Sequence, residues 1–115
     1  MAFTYIHEAN GPLDIISIKG RLIAASDAED LKQKILDLVS NNRIKVLVNL
    51  SELDYMNSTG LNVLLGLFTT IRNVGGEMIM GGTSKKVKDL LAITKLNSVF
   101  NIYDNMDEAR VALLK

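Results

Sequence analysis

The chain contains no cysteine, and that single absence excludes disulfide bridges, thiolate metal sites and cysteine nucleophiles together. Histidine is almost missing too: His7 stands alone, too few for a histidine-based zinc site. An excess of one charge is also lacking. The 13 basic residues balance 13 acidic ones and are scattered rather than gathered in a stripe, which argues against nucleic acid as a partner. Hydrophobic residues make up 48% of the chain, yet charges interrupt them everywhere and no stretch approaches the length that crosses a bilayer. No membrane partner is therefore expected. The segment Met1 to Glu8 lacks the basic region and apolar stretch of a secretory signal, so the expected location is cytoplasmic. Walker loop, dinucleotide-binding glycine pattern and Gly-x-Ser-x-Gly elbow are all missing. A non-enzyme without metal or cofactor is the expectation.

What is present suits one folded unit. The 115 residues carry a single proline, Pro12, and no repeat, low-complexity tract or linker, so residues 1–115 read as one domain. Apolar content this high at zero net charge is the opposite of the disordered signature.

Two strand-like runs open the chain, about Phe3 to His7 and Leu13 to Lys19, joined through Asn10-Gly11, which tolerate positive φ. Gly20 is expected to end the second. Ser26-Asp27-Ala28-Glu29 has the capping-box form, and Ala28, Leu31, Ile35 and Leu38 recur at helical spacing behind it. The run Val46-Leu47-Val48-Asn49-Leu50 is too short for a buried helix and rich in β-branched residues, as a central parallel strand would be. An apolar helix follows from about Leu61 to Val74, closed by Gly75-Gly76 as a left-handed cap. Glu77 to Gly81 reads as the fourth strand, Ser84 opens a third helix bearing Val87, Leu90 and Leu91, and Phe100 to Tyr103 is a fifth strand. Asn105 with Glu108 caps a last helix. This alternation predicts an α/β domain with a mixed, mostly parallel sheet of about five strands and about four helices.

Asn57-Ser58-Thr59-Gly60 is the pattern that stands above background, because it joins a buried strand to a helix start, where free N–H groups and a partial positive charge favour an anion. Two readings of Ser58 stay open. Its hydroxyl could simply cap the helix, or it could be a place to add charge. The helix behind it has an apolar arc of roughly 200°, wider than one sheet face requires. Its surplus meets either a partner or neighbouring helices. On the Leu65 edge of that arc, Ser58 shares a patch with Leu61, Asn62, Thr69 and Arg72.

The run Ser51-Glu52-Leu53-Asp54-Tyr55-Met56-Asn57-Ser58-Thr59-Gly60-Leu61-Asn62-Val63-Leu64-Leu65, supported by Gly20-Arg21-Leu22, Leu31-Lys32-Gln33-Lys34-Ile35 and Gly75-Gly76-Glu77-Met78, resembles the STAS domain. That family is named for sulfate transporters and anti-sigma factor antagonists, and the likeness covers nearly the whole chain. It is greatest to the free-standing bacterial antagonists. The resemblance implies a STAS-like fold and a partner-switching cycle. In that cycle the unmodified protein binds an anti-sigma factor that is also a serine kinase, phosphorylation at Ser58 turns binding off, and a metal-dependent serine phosphatase restores it. Asn57, Ser58, Thr59, Gly60, Leu61, Asn62, Leu65, Thr69 and Arg72 are the expected partner-binding residues of a monomer. Two positions depart from the family pattern: Asn57 and Ile23 stand where the family usually carries Asp, removing two negative charges near the site. The other function class is a constitutive STAS subunit of a transporter, lipid-trafficking, secretion or stress-sensing complex, in which Ser58 would only cap its helix.

Overall fold

The computed structural model describes residues 3–95 and 99–114. Met1 and Ala2, part of the segment inspected above for an export signal, lie outside them. The chain runs β1 (Thr4–Asn10), β2 (Leu13–Leu22), a 3-10 turn (Ala25–Ala28), α1 (Glu29–Ser40), β3 (Lys45–Met56), α2 (Ser58–Asn73), β4 (Glu77–Gly81), α3 (Lys85–Thr94), β5 (Asn101–Tyr103) and α4 (Met106–Leu114). The strands form one sheet in the order β1-β2-β3-β4-β5; the first pair is antiparallel and the rest are parallel. This is the expected mixed sheet, with β1 at an edge and β3 in the middle.

The nearly unbroken apolar run of β3 follows from burial on both faces. Val46, Val48 and Leu50 join the larger core, where Ile16 and Ile18 of β2 meet Leu31 and Ile35 of α1, Leu64 and Ile71 of α2, and Val87 and Leu91 of α3. Leu47 points the other way, with Leu13 and Ile79, under Ala109 and Leu113 of α4. The three helices that link the parallel strands, α1, α2 and α3, thus share one face, where right-handed crossovers advancing in one direction place them, and α4 covers the other.

Three local expectations are corrected. Gly20 does not end β2. With φ +91° it sits among register shifts against β3, and the strand continues to Leu22, opposite Met56. Ser26 does not cap α1, because a 3-10 turn intervenes; there the Asp27 carboxylate accepts from the backbone N–H of Ala24 at 3.0 Å and of Ile23 at 3.3 Å. The central strand runs well beyond Leu50, to Met56. The other caps form as read. Gly75 (φ +82°) and Gly76 close α2 by donating to the carbonyls of Arg72 and Ile71 respectively, the Schellman pattern. Ser84 Oγ accepts from Val87 N–H, and Asn105 Oδ1 accepts from Glu108 N–H while its amide donates to the Glu108 carboxylate.

Candidate functional site

The extended β2 and β3 end side by side, so the β2–α1 loop lies against the β3–α2 turn. Asn57 makes the junction. It is the N-cap of α2, with extended backbone (φ −102°, ψ −174°), and its Oδ1 accepts from Gly60 N–H at 2.9 Å. Its Nδ2 donates to the Ile23 carbonyl at 3.2 Å. Gly60 seats the first turn of α2 directly on β2: a Cβ built there would stand 2.1 Å from the Leu22 carbonyl oxygen. The turn is therefore held from both sides by backbone.

Ser58 occupies the first position of α2, and its side chain is exposed. The cap is Asn57, so the reading of Ser58 as the capping hydroxyl is corrected. Its Oγ is left outside the turn's own hydrogen bonds. Next to it Thr59 and Asn62 are exposed, Leu65 is half-buried against the main core, and Thr69 is exposed with its hydroxyl donating to the Leu65 carbonyl at 2.9 Å. Arg72 is exposed, its guanidinium 5.8 Å from the centre of the Phe68 ring. Two residues expected on a contact surface are instead interior: Gly60 is pressed against Leu22, and Leu61 is 1% exposed. Both face the sheet because they lie one turn before Leu64, at the centre of the buried stripe. Ser58 and Asn62 also line different grooves, Asn62 the one between α1 and α2.

The groove beside Ser58, about 420 Å³, runs between the β3–α2 turn and α3. Tyr55, Met56, Asn57 and Ser58 form one wall, and Lys86, Val87, Asp89, Leu90 and Ile93 the other. Apolar surface is displayed around it: Tyr55 is 43% exposed, Ile93 79%, and Ile23, held to Asn57, 41%. Arg21 stacks its guanidinium 5.3 Å from the Tyr55 ring centre. Sequence reasoning missed this wall. Ile93, off the Val87–Leu91 face of α3, was the available signal. Among the described residues no group of three or more His, Asp or Glu side chains is placed to hold a metal, and no helix is long and apolar enough to cross a membrane.

Fold and turn together define a small α/β module that presents an exposed serine at a helix N-terminus beside uncovered apolar surface. The model of the STAS domain matches residues 6–109, and the chain belongs to that family. It is 31% identical over 80 residues to the anti-sigma-B factor antagonist of Listeria monocytogenes, covering 70% of each chain. A solved Thermotoga maritima protein, provisionally named an anti-sigma factor antagonist, has the same fold at a TM-score of 0.86, with 21% identity over 96% of this chain and 95% of that one. The Bacillus cell fate determinant SpoIIAA, solved in its phosphorylated form, aligns at a TM-score of 0.74 with 19% identity over 96% of this chain and 99% of that one.

Proposed function

We propose that this protein is an anti-sigma factor antagonist that switches partners through Ser58. Unmodified, it binds an anti-sigma factor that is also a serine kinase. The kinase transfers the γ-phosphoryl group of ATP to Ser58 Oγ, the hydroxyl proton and ADP depart, and binding is lost; a metal-dependent phosphatase hydrolyses the ester and restores it. The observation that carries this reading is the division of labour at the turn. Asn57 satisfies the helix start, so the Ser58 hydroxyl can be modified without undoing a structural hydrogen bond. A phosphate there brings roughly −1.5 to −2 charges, which the N-terminus of α2 tolerates and an apolar partner surface does not. The relatives named for antagonism of anti-sigma factors support the partner class.

The contact surface on this reading is Asn57, Ser58, Thr59, Asn62, Leu65, Thr69 and Arg72. Purified kinase partner, tested against the unmodified, phosphorylated, Ser58→Ala and Ser58→Asp proteins, decides it. Phosphorylation should weaken binding about a hundredfold or more, the scale of an unpaired charge driven into a closed interface. Ser58→Asp should weaken it in part and Ser58→Ala should bind like the unmodified protein. Equal affinity of all four forms would instead assign the chain to constitutive interaction subunits.

A further inference from the structure

The groove next to Ser58 holds charge as well as apolar surface. Lys86 lines its α3 wall, opposite Ser58, one position into the first turn of the helix. Two other lysines are held in ion pairs, Lys19 with Glu52 and Lys88 with Asp104. Among the described residues Lys86 has no carboxylate within 4.0 Å. Its flexible four-carbon stem leaves the ammonium free to turn into the groove. One carboxylate, Asp89, lines the same wall and opposes an anion there. Against it stand the Lys86 ammonium and the free N–H groups at the starts of α2 and α3, so the balance of the groove favours added negative charge.

We propose that Lys86 is the intramolecular receptor for the phosphate on Ser58. The ammonium and the phosphate oxygens pair across the groove, tying the first turn of α3 to the first turn of α2. Leu90 and Ile93, which rise from the same wall, are then covered by the closed turn. Phosphorylation so acts twice, placing charge on the partner surface and withdrawing apolar surface from it. This rests on Ser58 being the modified residue, but the pairing is testable without any kinase.

Phosphoserine is installed at position 58 during translation in the full chain, in the wild-type background and with Lys86→Ala, Lys86→Arg or, as a control outside the groove wall, Lys85→Ala. In a phosphorus NMR titration, Lys86→Ala should raise the pH at which the phosphate takes its second charge by about half a unit, the effect of one charge a few ångströms away in water. Lys86→Arg and Lys85→Ala should titrate like wild type, and high salt should shrink the Lys86→Ala difference. The methyl resonances of Leu90 and Ile93 should shift on phosphorylation in wild type and much less in Lys86→Ala. Indistinguishable titrations and methyl shifts in wild type and Lys86→Ala would overturn the pairing, whereas the switch reading fails separately, if phosphorylated wild type still binds the kinase. An effect of Lys85→Ala as large as that of Lys86→Ala would also overturn it, since the groove contact would then be non-specific.

Discussion

Asn57 and Ile23, the two positions that depart from the family pattern, are physically one feature. The Asn57 side chain is an acceptor toward Gly60 N–H and a donor toward the Ile23 carbonyl, and an amide can do both where an ionised carboxylate can only accept. An ionised Asp would keep the cap and set two oxygens against each other across the β2–α1 loop. Asn57→Asp should therefore cost about 1 kcal/mol at neutral pH, and Asn57→Ala, which loses both bonds, about 2 kcal/mol, read by urea denaturation. Ser58→Ala should stay within about 0.5 kcal/mol of wild type, because the hydroxyl caps nothing. A loss of a full kcal/mol for Ser58→Ala would return the capping role to Ser58. The four-residue motif was legible in the sequence as a helix start, but which of its polar side chains caps was not. Asn and Ser both suit the N-cap, and the choice is made by Ile23, 34 positions away.

At the scale of elements, the glycines of α2 divide into one that fixes the site and one that is free. Gly60 admits no side chain, since a Cβ would meet the Leu22 carbonyl oxygen and carbon at 2.1 and 2.9 Å; Gly66 is exposed with nothing within 4 Å of a Cβ. Gly60→Ala should then cost about 3 kcal/mol, because the helix start must lift off the β2 backbone. Gly66→Ala should stabilise by about 0.5–1 kcal/mol through helix propensity alone. Equal effects of the two, measured by thermal or urea unfolding, would show that α2 does not lie on β2 as closely as described. The element order and most caps were legible because each rests on a local pattern: the period of α1, the β-branched run of β3, Gly75-Gly76 and Ser84. The full lengths of β2 and β3 were not. The residues from Ser51 onward lack an apolar run, and Gly20 reads locally as a stop, yet pairing between the two strands carries both through to Leu22 and Met56. Leu65 shows the same limit, since periodicity put it at the edge of the apolar arc without saying that it would half-bury against the core.

Across the whole molecule, the proposed contact turn and a buried polar staple stand at opposite ends of the central strand. At the carboxyl end of β3 lies the Ser58 turn, where ligand sites of parallel sheets generally form. At its other end is a buried polar staple that sequence inspection did not reveal. Asp14 is 0% exposed at the start of β2; Arg43, just before β3, donates to its Oδ2 at 2.7 Å, and His7 Nε2 lies 2.7 Å from its Oδ1. Arg43 also donates to the carbonyls of Gly11 and Leu13, so one guanidinium ties the β1–β2 hairpin turn to the entry of the central strand. No spacing rule links residues 29 positions apart, and this is why the sequence concealed it. Removing the guanidinium leaves the desolvated Asp14 carboxylate with His7 as its one remaining side-chain partner, so Arg43→Ala should cost about 3 kcal/mol, while replacing His7, Asp14 and Arg43 together with apolar residues of similar size should recover much of that loss. A staple remote from the turn should also act independently of it. The Arg43→Ala and Gly60→Ala losses should add to within about 0.5 kcal/mol, and the folded fraction of Arg43→Ala should bind the proposed kinase partner with unchanged affinity. Calorimetric titration below the midpoint of unfolding checks the second point; a tenfold loss of affinity there would mean that the hairpin end communicates with the Ser58 turn through β3.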